Sequence, residues 1–157
     1  MIDHLSFEVP EFLTPEQLRI LCELEKNAFP VKGAVDEQSL VPLARHGRIA
    51  LLCEKGDKYP VAVCEMLRDY KEPDMVYIFG YYVRPDKQGK GYGKIFFDYL
   101  FDMMRKDGFE KTSLTVDPDN TAAVKLYEKL GYKIIETRKS EYGEGSDRYY
   151  MVKYLGV

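Results

Sequence analysis

Between residues 92 and 104 the apolar positions Tyr92, Ile95, Phe96, Tyr99, Leu100, Met103 and Met104 return at the i, i+3, i+4 spacing of a helix, while Asp98, Asp102 and Lys106 fall elsewhere. The spacing predicts an amphipathic helix with one core-facing stripe. Arg105 and Lys106 stand in its last turn and Gly108 just past its end, the usual chemistry of a helix C-terminus. Just upstream, Met75 to Val83 is β-branched and aromatic, which predicts a central strand stopped by Pro85.

The same pattern divides the rest of the chain. Residues 2–9 alternate loosely through Ile2, Leu5, Phe7 and Val9 and predict an opening strand. Thr14-Pro15-Glu16-Gln17 has the order of a capping box, with proline at the first helical position, and predicts a helix ending before Pro30. A second short helix is predicted from Asp36 through Leu40 and Leu43 to Arg45. The loop between them, Phe29 to Val35, has freedom to shape a pocket. Arg48 to Glu54 and Val61 to Arg68, joined by Lys55-Gly56-Asp57-Lys58, read as a hairpin, and Lys71-Glu72-Pro73-Asp74 turns into the central strand. Three antiparallel strands are thus expected before the glycine-rich loop.

After the amphipathic helix, Lys111 to Val116 is a strand reached by a helical crossover, so it should lie parallel to Met75–Val83. Asn120 caps a helix predicted over Thr121 to Leu130, with Gly131 as its stop. Tyr132 to Thr137 and Arg148 to Leu155 are the last two strands. No internal repeat or low-complexity tract appears.

Composition narrows the function classes. At 157 residues with 45% hydrophobic and 31% charged side chains, the chain reads as a single soluble domain over residues 1–157. A formal net charge of -3 argues against a nucleic-acid partner, which needs a basic face. Cys22, Cys53 and Cys64 are odd in number and lack metal or redox spacing, so they read as small core residues in a reducing cytosol. Two histidines, His4 and His46, make a histidine-rich metal site improbable, and no metal is expected. No leader or membrane-length apolar run is seen, so no membrane association and a cytoplasmic location are expected.

The candidate chemistry lies between the central strand and the long helix, in Gln88-Gly89-Lys90-Gly91-Tyr92-Gly93-Lys94. Glycines there let successive N–H groups converge on anionic oxygens, and the helix N-terminus adds unpaired donors and a partial positive charge. Lys87, Lys90 and Lys94 raise the local potential. A diphosphate suits such a loop. A Walker loop would need Gly and Ser or Thr where Gln88 and Ile95 stand, and a dinucleotide fingerprint would need glycine at Lys94, so neither ATP nor NAD is favoured.

Gln88-Gly89-Lys90-Gly91-Tyr92-Gly93, between strand and helix, resembles the Arg/Gln-x-x-Gly-x-Gly/Ala signature of the Gcn5-related N-acetyltransferase (GNAT) family. Asn120-Thr121-Ala122-Ala123-Val124-Lys125-Leu126-Tyr127 through Gly131-Tyr132 resembles that family's later Asn-x-x-Ala-x-x-x-Tyr segment. The resemblance implies an α/β fold: a mixed, mostly antiparallel central sheet with a parallel pair at the cofactor cleft and helices on both faces. It implies acetyl-CoA as cofactor and acetyl transfer to a primary amine by direct attack in a ternary complex. The main chain of Tyr81, Tyr82 and Val83 would pair with the pantetheine arm, Gln88, Gly89, Lys90, Gly91, Tyr92, Gly93 and Lys94 would hold the pyrophosphate, and Asn120 would hydrogen-bond the cofactor. Tyr127 would sit beside the thioester sulfur as general acid. Asn120 and Tyr127 are seven positions apart, about two helical turns, and so share a face.

Relatives carry a glutamate base eleven residues before the first motif, or five before the motif asparagine. Tyr77 and Thr115 occupy those positions here. Glu65, on the neighbouring strand, is the best remaining carboxylate, acting through water; the equal alternative is a solvent-facing strand residue. Specificity would come from Phe29 to Asp36 and from Glu141 to Asp147, whose acids could attract a cationic amine but read better as a solvated hairpin tip. The acceptor is an amine-bearing small molecule or a protein amine, and the enzyme a monomer or homodimer. The alternative is a non-catalytic acyl-CoA-binding sensor, in which Tyr127 only packs.

Overall fold

The computed structural model describes residues 3–156. In chain order the elements are β1 (Leu5–Glu8), α1 (Pro15–Ala28), α2 (Glu37–His46), β2 (Arg48–Glu54), β3 (Ala62–Arg68) and β4 (Met75–Val83), then a 3-10 turn (Pro85–Lys87), α3 (Tyr92–Lys106), β5 (Lys111–Val116), α4 (Thr121–Lys129), β6 (Lys133–Arg138) and β7 (Arg148–Tyr154). The fold is mixed α/β, with seven strands in the order β1-β2-β3-β4-β5-β7-β6. β1–β2, β2–β3, β5–β7 and β6–β7 are antiparallel, and β4–β5 is parallel. The expected opening strand is the shorter Leu5–Glu8, and Ile2 lies outside the described residues.

The chain, expected to form a single domain, groups into two compact units, one running to Leu67 and taking up Phe79–Met103, the other comprising Arg68–Ile78 and Met104 onward. In the first, α1 begins where the sequence placed it. Gln17 N donates to Thr14 Oγ1 at 3.1 Å and Thr14 N donates to Gln17 Oε1 at 2.9 Å, so the reciprocal box satisfies two helix-end donors. Asp36 caps α2 by accepting from Gln38 N at 3.0 Å. Ile20, Leu21 and Leu24 of α1, Leu40 and Ala44 of α2, Ile49 and Leu51 of β2, Val63 of β3 and Tyr82 of β4 form one buried cluster. Leu40 and Ile49 are wholly buried, and each such side chain stabilises the fold by about 1.5–3 kcal/mol.

The apolar stripe of α3 proves wider than its spacing suggests, because Phe97 and Phe101 are buried alongside Phe96 and Leu100. Phe97 packs on Tyr81 with ring centroids 4.7 Å apart and on Phe101 at 5.4 Å. Both fall beyond the same edge of the stripe and so widen the enclosed face of the helix.

In the second unit, β5 pairs with β4 from Met75↔Lys111 to Tyr77↔Ser113, the parallel register expected of a helical crossover. β7 inserts between β5 and β6, an order that hydrophobic alternation does not reveal. β6 is exposed along nearly its whole length and carries a register shift between Ile134 and Glu136. Gly108 closes α3 with φ +88°, its N–H bonding Arg105 O while Phe109 N reaches Met104 O. Of the three cysteines only Cys64 is fully buried, and Cys22 and Cys53 are partly exposed. Among the described residues no helix is long and apolar enough to cross a membrane, and no group of three or more His, Cys, Asp or Glu is placed to hold a metal ion.

Candidate active site

β4 ends at Val83 because Pro85 has no N–H to extend a ladder, and Pro85–Lys87 turns the chain in a single 3-10 turn. Gln88 donates from Nε2 to Val83 O at 3.1 Å, tying the start of the glycine segment to the strand end. Gly89 and Gly91 take φ +74° and +85°, left-handed values that side chains with a Cβ seldom adopt. A Cβ at either would meet nothing within 4 Å. Both glycines are therefore set by backbone geometry and by the open space in front of them, which suits a loop that receives a ligand on its main chain.

Gly93 differs. Its backbone is not left-handed, and a Cβ there would stand 2.7 Å from Tyr81 Oη, so this glycine admits the Tyr81 hydroxyl beside the first turn of α3. Ile95 N bonds Gly91 O at 3.4 Å, which makes Gly91 the cap and leaves the N–H groups of Tyr92, Gly93 and Lys94 without a partner inside the helix. Those donors and the glycine loop together have the form of an anion-binding helix N-terminus.

The lysines divide by role. Lys87 Nζ pairs with Glu54 Oε1 at 2.7 Å, so its charge is engaged on β2 rather than aimed at a ligand. Lys94 bonds Asp98 at 3.1 Å along the exposed face of α3, and Lys90 is exposed in the loop. Arg84, which the sequence reading passed over, anchors the loop. It bonds Asp57 Oδ2 at 2.8 Å, Tyr59 O at 2.9 Å and Asp86 Oδ1 at 2.7 Å.

Glu65, the candidate base, is 2% exposed on β3, which excludes the solvent-facing alternative. A Cβ at Gly80 would fall within 2.3 Å of its Oε1, so Gly80 makes the space for this carboxyl. Burial first, then the neighbouring Glu25 carboxyl, push Glu65 up to about 10, and at neutral pH it holds its proton. Glu25 is 1% exposed and accepts from Val35 N at 3.3 Å. Among the described residues, Glu25 Oε1, Glu65 Oε2 and the hydroxyl of the buried Tyr82 find no hydrogen-bond partner.

In the second unit Asn120 caps α4, its Oδ1 accepting from Ala123 N at 3.2 Å. The side-chain amide keeps its donor hydrogens beyond that bond. Tyr127 is half-buried two turns on, its ring edge-on to Tyr132 at 5.9 Å. Tyr77 and Thr115, the two positions where relatives place a glutamate, touch one another, with hydroxyls 3.3 Å apart. The sequence marked both positions but gave no sign of their contact, which follows from the parallel pairing. Burial foremost holds the Tyr77 phenol above its ordinary range, so it is a neutral hydroxyl at physiological pH. Arg138 over Tyr150 at 3.9 Å and Arg148 over Tyr142 at 4.6 Å stiffen the strands and loop of the last hairpin.

Known proteins share the sequence pattern and the fold. The sequence model of the acetyltransferase (GNAT) family matches residues 17–132. The chain is 26% identical over 146 residues to a probable N-acetyltransferase, san, of Drosophila melanogaster, covering 91% of this chain and 78% of that protein. It is 27% identical over 146 residues to N-alpha-acetyltransferase 50 of Danio rerio, covering 91% and 86%. Among solved structures, Ard1 from Thermoplasma volcanium superposes with a TM-score of 0.80 at 16% identity over 96% of this chain and 97% of that one. Naa50 of Arabidopsis thaliana, solved with the bisubstrate analogue CoA-Ac-MVNAL, gives 0.77 at 24% identity over 96% and 98%. The chain belongs to the acetyltransferase (GNAT) family and is an N-acetyltransferase that draws its acetyl group from acetyl-CoA.

Proposed function

We propose that the acceptor is a primary amine at the N-terminus of a polypeptide, attacked directly in a ternary complex. The observation that carries the cofactor half is the pair of left-handed glycines, Gly89 and Gly91, opening onto empty space at the N-terminus of α3. Support for an α-amine acceptor comes from one relative matched over 91% of the chain, an N-alpha-acetyltransferase.

When bound, acetyl-CoA supplies an acyl group activated as a thioester. Gly89, Lys90 and Gly91, with the first N–H groups of α3, hold the diphosphate, and Gln88 fixes the loop that presents them. Tyr81, Tyr82 and Val83 offer their main chain to the pantetheine arm as an added strand would use it, past the end of the β4–β5 register. Asn120 donates from its amide while its oxygen caps α4. Tyr127 would offer its phenolic proton to the thioester sulfur, where negative charge would develop.

The amine loses its proton before or during attack. Glu65 holds a proton at neutral pH, so it can take up the amine's proton only after releasing its own. Water carries the exchange to the amine. Incubation with a peptide bearing a free N-terminus tests the reading: mass spectrometry should find one acetyl group on the α-amine, released in step with free thiol. Acetylation confined to lysine side chains or polyamines would overturn the peptide assignment.

A further inference from the structure

The glycine loop is gripped from the β2–β3 hairpin, and one carboxylate holds it on both sides of the glycines. Glu54 Oε1 accepts from Lys87 Nζ at 2.7 Å, one residue before Gln88, and Glu54 Oε2 accepts from Tyr92 Oη at 2.5 Å, at the first residue of α3. His4 Nε2 lies 3.4 Å from the same Oε2. The side chains of Glu54 and Lys87 are each 19% exposed, so the arrangement is partly sheltered from solvent. A few residues along the hairpin, Asp57 and the Tyr59 carbonyl take the Arg84 guanidinium, and Val61 O accepts from Arg84 N at 2.8 Å. The loop from 84 to 92 is thus fastened at its entry and at its exit, while Gln88 to Gly91 between them are exposed.

We infer that Glu54 is a positioning residue for acetyl-CoA: by tying Lys87 to Tyr92 it sets the span of the glycine loop and so the convergence of its N–H groups. The inference rests on the cofactor reading above. It makes a prediction opposite in sign to simple electrostatics. Glu54 puts a negative charge beside a site for a diphosphate and ties up a lysine, so if charge alone mattered, removing it would tighten binding. If the brace matters, removing it loosens the loop, and preorganisation is lost.

The experiment measures the affinity of wild type, Glu54→Ala and Tyr92→Phe for CoA by titration calorimetry, and the use of acetyl-CoA against acetyl-pantetheine, which lacks the diphosphate. Glu54→Ala should weaken CoA roughly ten-fold, the scale of a lost pair of charged hydrogen bonds diluted by partial loop order, and Tyr92→Phe by less. kcat/KM should fall for acetyl-CoA and stay unchanged for acetyl-pantetheine, a split that general destabilisation would not produce. Unchanged or tighter CoA binding by Glu54→Ala, or equal losses with both donors, overturns the brace. A wild-type protein that binds no CoA overturns the cofactor reading itself, and the brace with it.

Discussion

Gly91→Val separates the conformational duty of the loop from its ligand duty. Gly91 sits at φ +85°, and nothing lies within 4 Å of the place a Cβ would occupy. The substitution meets no steric wall, and its effect on folding is the local penalty of a β-branched residue in the left-handed region, about 1–3 kcal/mol. In a chain of this length each kcal/mol lowers Tm by about 2–4 °C, so a fall of about 2–12 °C is expected with the fold retained. The effect on the cofactor is larger, because the branched carbons fill the space from which the N–H groups reach the diphosphate. Losing two charge-assisted hydrogen bonds at about 1.5–3 kcal/mol each raises the Kd for CoA by at least about a hundred-fold. Gly108→Val is the matched control. Its φ is +88°, its surroundings are equally open, and it stands beyond the end of α3. It should show the same loss of Tm with CoA affinity unchanged. The assay is thermal unfolding followed by CoA titration of all three proteins. A folded Gly91→Val that binds CoA as wild type does would refute the cradle.

Other outcomes follow from the remaining site residues. Tyr127→Phe should lower kcat by about 10²–10⁴-fold and leave CoA affinity unchanged; full turnover in steady-state kinetics would remove Tyr127 from the chemistry. Glu65 gives the fold a signed pH dependence. With its folded value pushed up to about 10, the native state keeps a proton that the unfolded chain loses above the ordinary carboxylate range. Stability should therefore decline as pH rises through that window, by at most about 1.4 kcal/mol per pH unit. Glu65→Gln, neutral throughout, should flatten the slope in denaturant titrations from pH 6 to 9, and an unaltered slope would show that Glu65 is ionised in the native state.

Much of the framework could be read from the chain because local chemistry and tertiary fold agree. Thr14, Pro15 and Gln17 announce α1, Asp36 announces α2, and the aromatic run before Pro85 announces β4. The parallel sense of β5 followed from the crossover rule alone. What stayed hidden depends on contacts between residues distant in sequence. Phe97 and Phe101 lie outside the stripe of α3 yet are buried, because helical spacing reports a face and not how much of the helix is enclosed. Gly93 looked like a third bare amide but exists to admit Tyr81. Lys87 read as a free charge raising the potential at the loop until Glu54, far away in sequence, was found beside it. Glu65 reads as half of a buried pair only once α1 lies over β3, since alternation along a strand does not say what covers it.

The central claim is tested most directly by following free thiol while acetyl-CoA is mixed with a peptide carrying a free α-amine and, separately, with the same peptide blocked at its N-terminus. Acetyl transfer predicts thiol release matched mole for mole by acetylated peptide in the first mixture and none above background in the second. CoA binding with no thiol release, on this peptide or on a broad panel of amines, would contradict catalysis and leave a protein that only holds the cofactor.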